Sequence, residues 1–251
     1  MRKKLIAANW KMYKTPDQAR AFVADFLPLV PEKRTAEIVL CPSFVCLPAV
    51  VEALRGVHIG VGGQDVFWEK EGAYTGEVSC GMLQAVGCSH VIIGHSERRQ
   101  YFGETDETVN RKLKAARAAG LQPIVCVGEV LQEREDGRTE EVLTRQCNIA
   151  FSDMSGVEAA PLIVAYEPVW AIGTGKTATP EMAADAHRLI REQAAKAFGD
   201  ETAANLRILY GGSVKPDNAK ALMGQMEIDG ALVGGASLDP KSFAAIVAAG
   251  G

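Results

Sequence analysis

The fold is decided by Pro161-Leu162-Ile163-Val164-Ala165-Tyr166-Glu167-Pro168-Val169-Trp170-Ala171-Ile172-Gly173-Thr174-Gly175-Lys176-Thr177-Ala178. Its first five residues are apolar throughout and read as a buried strand. Glu167 then stands where the strand ends and a loop begins. Pro168 fixes the backbone directly behind it and removes a donor. Gly173 and Gly175 permit conformations closed to other residues and close approach to a ligand. A carboxylate at a strand end, followed by a stiff and then pliable loop over 168–178, suits a general base with a lid. Gly175-Lys176-Thr177 imitates the end of a phosphate-binding P-loop, but Trp170 stands where that motif needs glycine. Gly173-x-Gly175-x-x-Ala178 fits a loose dinucleotide fingerprint, yet its glycines lie well past the strand.

The strand-then-loop pattern repeats along the chain. Apolar runs at Leu5–Asn9, Ile38–Cys41, His58–Gly62, His90–Ile93, Pro123–Val127, Leu162–Ala165, Arg207–Tyr210 and Gly230–Val233 make eight candidate strands. Most are apolar along their length, as strands covered on both faces should be. Amphipathic segments fill the gaps. Thr179-Pro180-Glu181 opens a helix that stops at Gly199, Lys215-Pro216-Asp217 one that stops at Gly224, and Thr105-Asp106-Glu107 one that stops at Gly120. No low-complexity linker divides the sequence. Eight strand–helix units in 251 residues, about 31 residues each, predict a single α/β domain over 1–251, a (β/α)8 barrel. An open doubly wound sheet is the structural alternative.

Composition narrows the function. With 47% hydrophobic and 23% charged residues the chain reads as a soluble globular protein. A formal charge of −4 argues against a general nucleic-acid binder. No apolar run approaches the ~20 residues of a membrane span, and the apolar stretch after Met1-Arg2-Lys3-Lys4 is too short for a signal segment. Six cysteines without C-x-x-C pairs predict reduced thiols in the cytoplasm. Four histidines without H-x-x-x-H spacing give no expected metal site.

In a barrel, chemistry collects at the C-terminal ends of the strands. Those ends carry Asn9 and Lys11, Gln64, His95 and Glu97, Cys126 and Glu129, Glu167, Gly211–Ser213, and Gly234–Gly235. Taken singly, Glu167 is a solvated loop carboxylate, His95 a structural histidine and Lys11 a surface lysine. Position changes that. His95 follows Gly94 at a strand end and precedes the helix start Ser96-Glu97-Arg98-Arg99. A helix N-terminus disfavours imidazolium, so His95 is suited to act neutral, as an electrophile. Lys11 offers an ammonium for an anion, with Glu97 as its candidate partner. Two glycine-rich turns, Tyr210-Gly211-Gly212-Ser213 and Val233-Gly234-Gly235-Ala236-Ser237, follow adjacent strands, where barrels commonly hold phosphate on backbone amides.

Together Asn9-Trp10-Lys11-Met12, Ile93-Gly94-His95-Ser96-Glu97-Arg98-Arg99, Ala165–Gly175, Tyr210-Gly211-Gly212-Ser213-Val214 and Leu232-Val233-Gly234-Gly235-Ala236-Ser237 resemble the triosephosphate isomerase family, in order and from residue 5 to about residue 247. The resemblance implies interconversion of dihydroxyacetone phosphate and D-glyceraldehyde 3-phosphate, in glycolysis and gluconeogenesis. It implies Glu167 as the base and neutral His95 as the electrophile; that pairing is the family's own, a standard worked case of pKa tuning. It further implies Lys11 offsetting negative charge, Asn9 positioning substrate, Gly173, Ser213, Gly234 and Gly235 holding the phosphate, and Glu97 and Cys126 in support. It implies no cofactor. Tyr13 departs from the pattern, standing where many relatives carry Asn. The competing expectations are another phosphosugar isomerase or lyase on the same barrel, or a non-catalytic phosphometabolite-binding protein.

The stretch from Gln64 to Ser79 exceeds the ~12 residues usual for a loop without structure of its own. It carries Phe67, Trp68 and Tyr74, which a monomer must expose or fold back on itself. Burial against a partner is the expected arrangement, with a self-packed loop as the alternative. The family resemblance implies a homodimer in which the tip at Tyr74–Thr75 enters the other subunit near Asn9, Lys11 and His95.

Overall fold

The computed structural model describes residues 2–31, 35–159, 162–173 and 177–251. Eight parallel strands close on themselves in sequence order: β1 Leu5–Asn9, β2 Glu37–Cys41, β3 Gly60–Gly63, β4 His90–Ile93, β5 Gln122–Val127, β6 Ile163–Tyr166, β7 Arg207–Tyr210 and β8 Gly230–Val233. Leu5 of β1 pairs with both Glu37 of β2 and Gly230 of β8, which closes the ring. That closure excludes the open doubly wound sheet. The expected strand His58–Gly62 begins later, at Gly60, because Ile59 donates back to Val57 in a tight turn (2.9 Å). The expected Leu162–Ala165 is displaced by one residue, since Leu162 N–H is taken by Ala159 O (2.8 Å).

Each strand is followed by a helix that packs on the outside. Two begin as the sequence predicts: Thr105 and Thr179 place their hydroxyl on the third backbone N–H of Asp106–Ala118 and Pro180–Phe198, and Thr15 does the same for Pro16–Phe26. None of the described helices is long and apolar enough to cross a membrane.

Strand periodicity splits the core in two. One set, including Leu5, Ala7, Val39, Ile92, Ile124, Ile163, Ala165, Leu209 and Leu232, fills the barrel interior. The alternate set, including Ile6, Ala8, Ile38, Val91, Val125, Val164 and Tyr166, packs against the helices. The interior parity runs on into the loops. Leu5 and Ala7 lead to Asn9, Ile163 and Ala165 to Glu167, Leu232 to Gly234. Alternation of side chains therefore aims these residues at the barrel axis, at its C-terminal mouth.

Two histidines are buried as neutral rings. Burial, with Arg207 nearby, pushes His90 down to about 4. His187 is pushed down to about 3, chiefly by burial. Its Nδ1 donates to Glu227 O (3.1 Å), and Nε2 has no partner among the described residues. A proton on Nε2 would bury both a charge and an unpaired donor. The unfolded chain takes up these protons near pH 6.5, the folded one only near 4 and 3. Stability is thus fully present above about pH 6.5 and is lost as pH falls, on the order of 3–5 kcal/mol per histidine. Urea unfolding at pH 7 and pH 4.5 should show a smaller loss for a His90→Asn, His187→Asn variant than for the parent chain. Equal losses would contradict this account.

Candidate active site

At the mouth of the barrel Glu167 is buried, the first residue past β6. Its N–H is held by Val127 O (2.7 Å). Oε2 accepts the backbone N–H of Ser96 (2.8 Å). Oε1 lies 2.9 Å from His95 Nε2 without an aligned hydrogen bond. Burial pushes the carboxyl's pKa up, but His95, the Ser96 N–H and Lys11 together hold it below its usual value.

His95 caps the helix Ser96–Tyr101, as its position after Gly94 predicts. Gly94 has φ +75°, and a Cβ there would lie 2.8 Å from Val109, so the turn that brings the imidazole into the mouth needs glycine. Arg99 clasps this turn, donating to Gly94 O (2.8 Å) and Cys126 O (3.2 Å) while pairing with Asp106 (2.5 Å). His95 Nδ1 accepts the Glu97 N–H at 3.2 Å. Burial lowers the His95 pKa, and the facing Glu167 carboxylate outweighs it and raises it. An imidazolium has no lone pair for the Glu97 N–H, so the hydrogen-bond pattern assigns the neutral tautomer with its proton on Nε2.

Lys11 sits in the left-handed region at φ +52°, a strained setting for a side chain other than glycine. Its N–H donates to Asn9 Oδ1 (3.0 Å), and Gln64 Nε2 donates to its carbonyl (2.9 Å). Lys11 Nζ pairs with Glu97 Oε1 at 2.6 Å, the partner expected from sequence.

Asn9, Lys11, His95, Glu167, Gly173, Ser213, Gly234 and Gly235 all line one cavity of about 740 Å³. Ser237 donates both its N–H and its hydroxyl to Gly234 O (2.8 and 2.7 Å). This fixes the glycine turn at the head of the short 3-10 helix Gly235–Leu238. Glu97 stands behind Lys11 and His95. Cys126 is fully buried at the top of β5; burial pushes its thiol well up, and Glu167 adds to that. Among the described residues no three His, Cys, Asp or Glu side chains are grouped to hold a metal ion.

Sequence reasoning missed several contributors. The Ser96 N–H is a backbone group and leaves no side-chain signal. Glu129 reads in the sequence only as a strand-end acid. It is fully buried, and its Oε1 gathers Tyr166 OH (3.0 Å), Trp170 Nε1 (2.9 Å) and Arg134 (3.5 Å) just past the end of β6. Trp10 and Ile172 also line the cavity. Gly173 has φ +69°, a conformation that favours glycine. Thr174, Gly175 and Lys176, where the sequence places the pliable part of the lid, lie outside the described residues. Tyr13 is exposed on the cavity's rim.

In the loop 64–79 the aromatics stack on one another, with Phe67 centred 4.1 Å from Trp68 and 4.7 Å from Tyr74. Arg111 covers Trp68 at 4.0 Å. The loop thus packs partly on itself, and Tyr74 stays exposed.

Comparison with known proteins agrees with this geometry. The family model for triosephosphate isomerase matches residues 4–250. A triosephosphate isomerase of Solibacter usitatus is 63% identical over 247 residues, covering 98% of this chain and 99% of the relative. Those of Citrifermentans bemidjiense and Moorella thermoacetica are each 58% identical over 247 residues, covering 98% of both chains. With a closed eight-stranded barrel, a match over nearly its whole length and relatives this similar, the chain belongs to the triosephosphate isomerase family.

Proposed function

We infer that the chain interconverts dihydroxyacetone phosphate and D-glyceraldehyde 3-phosphate, the triose phosphate step shared by glycolysis and gluconeogenesis. One observation carries the mechanism. A buried carboxylate, a neutral imidazole and an ammonium share a single cavity with two glycine turns. The backbone amides around Gly173, Ser213, Gly234 and Gly235 take the phosphate. Asn9 and Lys11 position the oxygens and offset their charge. Glu167 removes the proton from the hydroxymethyl carbon, and the electron pair moves to the carbonyl oxygen. His95 Nε2–H donates to that oxygen and exchanges protons between the two oxygens of the enediolate. Glu167 then returns its proton to the neighbouring carbon.

Electrostatics favours this order of events. Substrate entering between His95 and Glu167 takes the His95 contact, the largest of those that hold Glu167 acidic, so burial weighs more heavily and raises its basicity. The same entry removes Glu167 from His95, so the larger of the two carboxylate influences that raise the imidazole is lost, which favours the neutral ring. A steady-state assay of purified chain with each triose phosphate tests the activity. Turnover of a different phosphosugar with none of the trioses would overturn it.

The segment 168–178 acts as the lid, an arrangement described for this family itself. Glu129 anchors its stem through Trp170. Closure excludes water and keeps the enediolate from losing phosphate. Hydrogen exchange across 168–178 should slow when a phosphate-bearing analogue binds; exchange unchanged by a tight analogue would count against closure.

The chain works as a homodimer. Met12 and Tyr13 after β1, Phe44 and Val45 after β2, Tyr74 after β3, and Tyr101 and Phe102 after β4 are all exposed, Met12 by 94%. Exposed large apolar side chains in the segments that follow four successive strands favour a partner surface. A second copy receiving the 64–79 loop would hold Lys11 and His95 rigid. Six unpaired, buried cysteines suit a cytoplasmic location.

A further inference from the structure

We propose that Gln146, on the outer helix Thr139–Phe151, is a positioning residue for the base, acting through the main chain of Gly128. The proposal rests on the assignment of Glu167 as that base.

β5 ends at Val127, so the peptide groups of Gly128 lie beyond the strand. Gln146 is buried and supplies both partners: its Oε1 accepts the Gly128 N–H at 2.7 Å, and its Nε2 donates to Gly128 O at 3.2 Å. One side-chain amide thus clamps one backbone residue from both sides.

Gly128 in turn is the wall on which Glu167 rests. A Cβ at position 128 would lie 1.7 Å from Glu167 O and 2.5 Å from its carbonyl carbon. The residues on either side are tied to the same segment, with Glu167 N–H on Val127 O (2.7 Å) and Val169 N–H on Glu129 O (3.1 Å). Residues 127–129 therefore extend the β5–β6 ladder around the base, and Gln146 fixes the central member. If Gly128 moves, Glu167 moves with it. Displacements of about 1 Å at a reacting group can cost ~10²-fold in rate. Gln146 touches none of the groups that take the phosphate, so its loss should leave ground-state binding alone.

Gln146→Leu and Gln146→Met both delete the clamp, with different shapes, and are compared with the parent chain and Glu167→Gln. The expected result is a fall in kcat of about tenfold in both Gln146 variants. KM and the dissociation constant of inorganic phosphate should stay within about twofold, since the phosphate turns are untouched. If only one variant folds, it alone decides. A lowered thermal midpoint with kcat unchanged would make Gln146 a packing residue and overturn the proposal. A rise in KM and phosphate dissociation constant with kcat intact would overturn it as well. Glu167→Gln separates the two assignments. Turnover lost there but kept in the Gln146 variants sinks only this inference, whereas turnover kept in Glu167→Gln removes the base and the inference with it.

Discussion

Replacing Glu167 by glutamine should lower turnover by at least ~10²-fold while leaving affinity for phosphate-bearing ligands near that of the parent chain. The substitution conserves shape. The amide side chain keeps an oxygen for the Ser96 N–H that Glu167 accepts at 2.8 Å, and the backbone bond to Val127 O is unaffected. The cavity, the glycine turns and the Lys11–Glu97 pair also remain. Only the capacity to take a proton from carbon is removed. A fall in kcat without a matching rise in KM is the signature of an interaction made in the transition state. Near-normal turnover, in protein free of the host's own enzyme, would remove Glu167 as the base.

Replacing residues 66–77 with a short Gly/Ser turn should give folded monomers whose activity is lower by more than about tenfold. The barrel can tolerate the change, because β3 ends at Gly63 and the next helix begins at Cys80. What is lost is the Phe67–Trp68–Tyr74 stack and the tip it shapes. Each site has its own Asn9, Lys11, His95 and Glu167, so a monomer keeps every reacting group. Its loss is of rigidity. Lys11 is held in a strained backbone state by Asn9 and Gln64, and without a partner over Met12 and Tyr13 that strain can relax. Sedimentation of the parent chain as a fully active monomer at micromolar concentration would contradict the dimer reading.

What the sequence revealed of this site follows from what kind of group does each job. Strand ends were legible where apolar runs stop at residues of different character, as at Ile92-Ile93-Gly94. His95 was legible because Gly94 before it and Ser96-Glu97 after it mark a turn and a helix start. Side chains that act on the cavity carry such signals. Groups that act through the backbone do not. The Ser96 N–H that parks Glu167, and the Gly128 main chain behind it, look like any other peptide in the sequence. Gln146 and Glu129 reach the site from outside its motifs, and only the fold brings them there. Strand limits shifted at β3 and β6 for a similar reason, since the local bonds from Ile59 N–H to Val57 O and from Leu162 N–H to Ala159 O claimed groups that apolar character alone assigned to strands.

The central claim is that one carboxylate moves a proton between adjacent carbons while exchanging it with solvent. The most direct measurement is isomerisation of dihydroxyacetone phosphate in deuterium oxide, with the product trapped and read by NMR. The account predicts D-glyceraldehyde 3-phosphate carrying solvent deuterium on the carbon beside the aldehyde, formed by the parent chain and abolished in Glu167→Gln. Product formed at full rate with only protium at that carbon, by the parent chain and by Glu167→Gln alike, would mean hydrogen passes between the carbons without the carboxylate, and would contradict it.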